Sequence, residues 1–147
     1  MITFNFWQKW LFIIGIYLSC FGLFLSFFNQ SNIMNYIFND NINASFWGNE
    51  IISGSTLNFQ SWVYGILGAT ISGWGIFLSF LAYYPFKARE KWSWNCIAIG
   101  ISIWFLSDTY ISYSFNVSFN IIFNFVILFL IGIPIVFSRK YFKTIDC

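Results

Sequence analysis

Histidine is absent from all 147 residues. That removes the commonest general base, the commonest metal ligand and the one side chain that ordinarily titrates near neutrality. A haem, zinc or quinone site built on imidazole is therefore excluded for this chain alone. Charge is nearly as scarce: Asp, Glu, Lys and Arg make up 8% of the residues, against about a quarter in a soluble domain. Seven basic and five acidic side chains cannot cover a water-facing surface for a chain of this length. Cysteine occurs three times, with Cys20 and Cys96 inside apolar runs and Cys147 at the end. No two share a loop, so no disulfide framework is expected. No CxxC pair and no Cys/Asp/Glu cluster suggests a metal, and no cofactor is expected.

Apolar residues dominate what remains, at 59% of the chain, with 21 Phe among them. Four uncharged stretches lie roughly at 10–28, 62–84, 94–113 and 118–137. Each is about long enough to cross a ~30 Å hydrocarbon layer as a helix rising ~1.5 Å per residue. The expected fold is all-α: one transmembrane domain over 1–147, an integral membrane four-helix bundle with a long loop at 29–60. Lys9 before Trp10–Phe28 has the layout of a signal peptide. However, the apolar run is long and no small-x-small cleavage site follows. Leu18-Ser19-Cys20 has the look of a lipoprotein site, but Tyr17 does not fit and the run continues past the cysteine. The first stretch is read as an uncleaved span.

The basic residues Lys9, Lys87, Arg89, Lys91, Arg139, Lys140 and Lys143 fall before span one, between spans two and three, and after span four. The other two connections contain none. The positive-inside rule then places both termini and the 85–91 loop in the cytoplasm of a cell (inner) membrane, and the 29–60 loop outside. The basic face is read as touching anionic lipid headgroups, and no nucleic-acid role is expected. Trp7, Trp10, Trp62, Trp92, Trp94, Tyr83, Tyr84 and Tyr141 flank the spans as interfacial anchors. Pro85 ends span two, and Pro134 lies near the end of span four.

The 29–60 loop is rich in Asn. Ile33, Met34, Ile37 and Phe38 recur there at helical spacing after Ser31 or Asn32 as a cap. A short amphipathic helix on the outer leaflet is expected, either as a packed cap or as a lid over a cavity, with Phe46-Trp47-Gly48 as a second anchor. Asn43-Ala44-Ser45 and Asn116-Val117-Ser118 match the glycosylation sequon, a weak motif alone.

Helices in lipid associate by close approach and by hydrogen bonds. Span one carries Gly15, Ser19, Gly22 and Ser26 on a narrow stripe. Span two carries Gly65, Gly68, Ala69, Ser72 and Gly73 on a broad face, with Gly75 at its edge. Spans one and two are the natural partners. The same face would also suit a homo-oligomer or the helix of a membrane protein partner.

Spans three and four form a hairpin with a tight turn near 114–117. Counting outward from that turn sets Asp108 level with Asn124, and Ser112 level with Asn120. A polar seam of Asp108, Ser112, Asn120 and Asn124 is expected, with Gln60 and Tyr64 entering from span two. A carboxylate at that depth is costly, so it should face the bundle and be hydrogen-bonded or protonated. It is either a site for a ligand, ion or proton, or an asparagine-satisfied aspartate that fixes helix register.

Several of these runs together resemble small bacterial membrane proteins with four spans. They are Trp62-Val63-Tyr64-Gly65-Ile66-Leu67-Gly68-Ala69-Thr70, Gly73-Trp74-Gly75, Tyr84-Pro85-Phe86, Glu90-Lys91-Trp92-Ser93-Trp94, Trp104 with Asp108-Thr109, and Asn120 with Asn124. The likeness covers most of the chain and extends distantly to DoxX-like four-helix proteins. It implies a bacterial origin and a four-helix fold, and no activity. The leading expectation is a non-enzymatic bundle that binds lipid, a partner or copies of itself. A small-solute or ion site around Asp108 is the alternative. A lipid-modifying enzyme ranks last, because no second acid, histidine or activated nucleophile accompanies Asp108.

Overall fold

A computed structural model describes residues 3–48 and 50–142. Asn49, Lys143 and Cys147 lie outside the described residues. Helix α1 runs Phe4–Phe28, and α2 covers Asn32–Met34. A π-turn at Asn35–Asn39 leads from α2 into α3, Asp40–Trp47. Helix α4 is Gly54–Leu81 and passes into a second π-turn, Ala82–Phe86. Helices α5, Lys91–Ser114, and α6, Ser118–Ser138, complete the bundle. Four of these helices are long and apolar enough to cross a membrane, and the chain is a multi-pass membrane protein.

The distribution of residues is the reverse of a water-soluble bundle. Phe27, Phe77, Leu106 and Val136 are 67–76% exposed on the outward faces. Gln8, Ser19, Ser79, Ser93, Asn124 and Ser138 are buried inside. An apolar belt of this kind is stable only where the solvent is lipid. A core of Leu11, Leu18, Leu78, Ile97, Ile101, Ile131 and Ile135 fills the centre. At one end Phe4 stacks on Phe86 and Phe142 packs against both at an angle, with the Arg89 guanidinium over the Phe4 ring. Lys9, Lys87, Lys91, Arg139 and Lys140 belong to this basic end. The turn at 115–117 and the segment 29–53 make up the opposite, loop end.

Helices α1 and α4 form the closest pair. Gln8, Gly15, Gly22 and Asn29 recur every seven residues and face Ala82, Gly75, Gly68 and Ser61, which also recur every seven. A Cβ on Gly15, Gly22, Gly68 or Gly75 would strike the partner's backbone, so only glycine allows this approach. Hydrogen bonds lock the register. Ser19 and Ser72 hydroxyls meet at 3.2 Å, Ser26 donates to the Gly65 carbonyl at 2.9 Å, and Gln8 donates to the Ala82 carbonyl at 3.0 Å. The contact stripe on α4 is therefore Gly65, Gly68, Ser72, Gly75 and Ser79. This corrects the expected face. Ala69 is exposed, and a Cβ on Gly73 would meet nothing within 4 Å. The seven-residue period of α1 selects the adjacent stripe, which turns Ala69 and Gly73 away from it.

Within the 29–60 loop, the start of α4 differs from expectation. Helix α4 begins at Gly54, well before the apolar run, and Met34 and Asn39 are buried at 1% and 2% exposure. The Ser31 hydroxyl caps α2, as its position suggests. The segment packs against α1 and α6. It is a cap on the bundle's end, held by Asn39 donating to the Asn29 carbonyl at 2.8 Å and by Gln60 donating to Asn43 at 2.6 Å. Phe38 inserts between Phe119 and Phe123, with ring centroids 5.3 and 5.2 Å away.

Candidate functional site: a capped cavity ending at Asp108

Asp108 lies six residues before the end of α5, about 9 Å along the helix axis. The chain then turns tightly. Asn116 takes a positive φ of 58°, which asparagine tolerates, and the Val117 N–H returns to the Ser112 carbonyl at 2.9 Å. This turn sets the first two turns of α6 against the last two of α5. Asn120 and Asn124 share one face of α6 and both reach Asp108.

Donors converge on a single carboxylate oxygen. Asp108 Oδ1 accepts from Asn120 Nδ2 at 2.6 Å, from Asn124 Nδ2 at 2.9 Å and from the Ser112 hydroxyl at 3.2 Å. Asn120 also donates to the Ser112 hydroxyl at 2.7 Å, and Asn124 to the Thr109 hydroxyl at 3.3 Å. Asn124 is 1% exposed, so its amide is committed to this network. No hydrogen bond to Asp108 Oδ2 occurs among the described residues, which leaves that oxygen available.

Gln60 and Tyr64 are not part of this seam. Gln60 bonds upward to the cap. Tyr64 has the Gln60 side chain as its polar neighbour. Both Tyr64 Oη and Gln60 Oε1 are buried without a partner among the described residues.

Tyr64 and Asp108 do share a cavity of about 490 Å³. It exists because α4 packs on α1, α5 on α6, and α6 on α1, while α4 and α5 stand apart. Cap residues Phe38 and Ile42 lie at its loop end, beside Tyr64, Asp108, Asn120 and Asn124. From Tyr64 down to Trp74 it follows α4 for about 15 Å, at ~1.5 Å per residue. Leu18, Leu67, Ile71, Gly100 and Ile127 line that length, which is apolar except for Thr70. Trp74 and Trp104 meet across the gap at 5.8 Å between ring centroids. Leu67, Thr70 and Gly100 are exposed, so the side of the cavity opens toward the lipid-facing surface. A shallower groove of about 420 Å³ reaches Asp108, Ser112 and Asn120 from the other side, along Ile103 and Ile111.

The volume falls within the ~300–1,000 Å³ of ordinary small-molecule sites. The arrangement can hold a long apolar body and anchor one polar end. Among the described residues no group of three or more Cys, Asp or Glu is placed to hold a metal. The reading from sequence did not identify Phe38, Ile42, Thr70, Trp74, Gly100 and Trp104 as cavity residues. Trp74 and Trp104 carried a signal: they lie mid-span, whereas tryptophan in membrane proteins favours the interface.

Compared with known proteins, the chain matches no family model, no curated sequence and no solved structure.

Proposed function

We propose that this is a non-enzymatic protein of a bacterial cytoplasmic membrane that binds a lipid-like molecule. The apolar chain of the ligand occupies the cavity between α4 and α5, and its polar end lies at Asp108. The observation that supports this reading is the cavity itself: about 490 Å³, apolar along most of its length and polar at one end. Its side opening faces the region where lipid tails run, so a chain can enter without crossing the headgroups. Asp108 Oδ2 and the Tyr64 hydroxyl would meet the head of the ligand. Asp108 is the one carboxylate in the lining, and no nucleophile–base pair accompanies it, which favours binding over catalysis. The gathering of basic residues at one end supports cytoplasmic termini and an external cap.

The test is mass spectrometry of lipids that copurify with the gently solubilised protein. A Cβ on Gly100 meets nothing within 4 Å, so Gly100→Leu fills the cavity without moving the backbone. Wild type should carry a bound lipid, Gly100→Leu should lose it, and Asp108→Asn should retain less. A lipid-free wild type, or equal occupancy in all three, would sink the reading.

A second reading rests on Ala69 and Gly73, small residues on α4 that α1 leaves uncovered. They would admit the helix of a second copy or of a membrane partner. Leucine at both positions should then dissociate the assembly seen in native mass spectrometry. An unchanged mass would remove this reading.

A further inference from the structure

A second cavity of about 490 Å³ lies between the cap and the first turns of α4, and its chemistry is unlike that of the first. Asp40 and Glu50 both line it, and no lining residue is basic. The chain has no Lys or Arg between Lys9 and Lys87, so no cation nearby in sequence compensates them.

A deeply buried amide oxygen in the lining is unpartnered. Asn39 is 2% exposed, and its Nδ2 donates to the Asn29 carbonyl at 2.8 Å and to Asn35 Oδ1 at 2.6 Å. Those bonds fix the amide and leave Asn39 Oδ1 without a donor. Gln60 also lines the cavity: its Nε2 donates to Asn43 Oδ1 at 2.6 Å, and its other polar neighbour is the Tyr64 hydroxyl. Buried carbonyl oxygens without partners are rare and call for an explanation. The cavity is also lined by Ala44, in the last turn of α3, where backbone carbonyls lack helical partners and the helix dipole favours positive charge.

We propose that this pocket binds a hard divalent cation of the Ca²⁺ type. The carboxylates of Asp40 and Glu50 and the amide oxygen of Asn39 would be its protein ligands. An all-oxygen set without Cys or His selects against the softer transition metals. Ca²⁺ accepts six to eight oxygens in irregular geometry, whereas Mg²⁺ demands a near-ideal octahedron. With two carboxylates and an open pocket, the affinity expected is that of extracellular Ca²⁺ modules, with Kd roughly 10⁻⁴–10⁻³ M. The bound ion would join the cap helix to Glu50. This proposal is independent of the lipid reading.

The experiment is Tb³⁺ luminescence of the full chain in neutral detergent after chelator treatment, followed by displacement with Ca²⁺ and with Mg²⁺. Wild type should give saturable emission that Ca²⁺ displaces more readily than Mg²⁺. Asp40→Asn and Glu50→Gln should each weaken binding about tenfold, since ligand charge count sets affinity, and the double variant should abolish it. Asp108→Asn should bind as wild type does, which separates this site from the seam. Absence of Ca²⁺-displaceable emission in wild type, or unchanged emission in the double variant, overturns the proposal. If the double variant lacks helical circular dichroism, Glu50→Gln decides. Glu50 is exposed and outside the helices, so the fold tolerates its change, and unchanged affinity there overturns the proposal equally.

Discussion

The Trp10 indole N–H donates to the Leu130 carbonyl at 2.8 Å. Leu130 lies four residues before Pro134, which has no N–H to return to it. In hydrocarbon an unsatisfied carbonyl has no water to turn to, so a neighbouring helix must supply the donor. Trp10 on α1 supplies it, and the break in α6 becomes a tether between the two helices. Trp10→Phe should therefore destabilise the protein by about 0.6 kcal/mol, and by no more than about 1.7 kcal/mol. In a Pro134→Ala background Leu130 regains its own helical donor, and the same substitution should cost less. Unfolding in mixed micelles checks both. An equal cost in the two backgrounds would show that the indole bond does not compensate for the proline.

The α1–α4 contact makes a sharper prediction about glycines. A Cβ on Gly22 would meet the Ser72 amide and the Gly68 carbonyl, both rigid backbone, and one on Gly75 would meet Ser19 and Gly15. Gly22→Leu and Gly75→Leu should each destabilise by about 3 kcal/mol or more, the upper range of overpacking. Gly73→Leu has open space and should stay within about 0.5 kcal/mol, as a change that meets no neighbour does. Thermal unfolding in detergent separates the two classes. A large loss at Gly73 with none at Gly75 would mean that α1 packs on the other stripe.

These two examples show what the sequence made legible and what it did not. The spans were readable because lipid solvation depends on long uncharged runs; α6 ends at Ser138 where the run at 118–137 ends. The start of α4 was not, because Asn58 and Gln60 look like loop by hydropathy, although α4 begins at Gly54. The face of α4 was ambiguous because two small-residue stripes lie side by side. Only the matching period of Gln8, Gly15, Gly22 and Asn29 on α1 distinguishes them. The seam around Asp108 was legible because a tight hairpin fixes depth by counting. The cavity beside it was not, since it arises from the separation of α4 and α5, which no local pattern encodes.

Asp108 allows its structural and binding roles to be separated. Its Oδ1 accepts three donors, and asparagine retains an oxygen that can accept them. Asp108→Asn should keep the fold within about 0.5 kcal/mol of wild type. Asp108→Leu takes one acceptor each from Asn120 and Asn124, which keep only their bonds to Ser112 and Thr109, and should cost about 1–3 kcal/mol, the range for buried polar groups that lose a partner. Equilibrium unfolding gives both values. Equal stability of the leucine and asparagine variants would show that the seam does not hold α5 against α6.

The cap is expected to open as a unit, with Phe38 as its anchor. Phe38 packs on Phe21, Phe119 and Phe123 with ring centroids 5.2–5.6 Å away, and it lines the end of the first cavity. The cap is also held by the buried Met34, by Phe46 against Phe115, and by the Asn39–Asn29 and Gln60–Asn43 bonds. Phe38 is only partly buried, so Phe38→Ala should cost less than the ~3–5 kcal/mol of a fully buried phenylalanine. That loss falls on the cap alone, because α1 and α4 remain joined by their own glycine contacts. Hydrogen exchange should therefore accelerate at residues 32–47 in the variant and stay unchanged at residues 11–25 of α1. The two regions respond differently because local opening breaks only the contacts of the segment that opens. Equal acceleration in both would mean that cap and bundle unfold together and that Phe38 belongs to a single core.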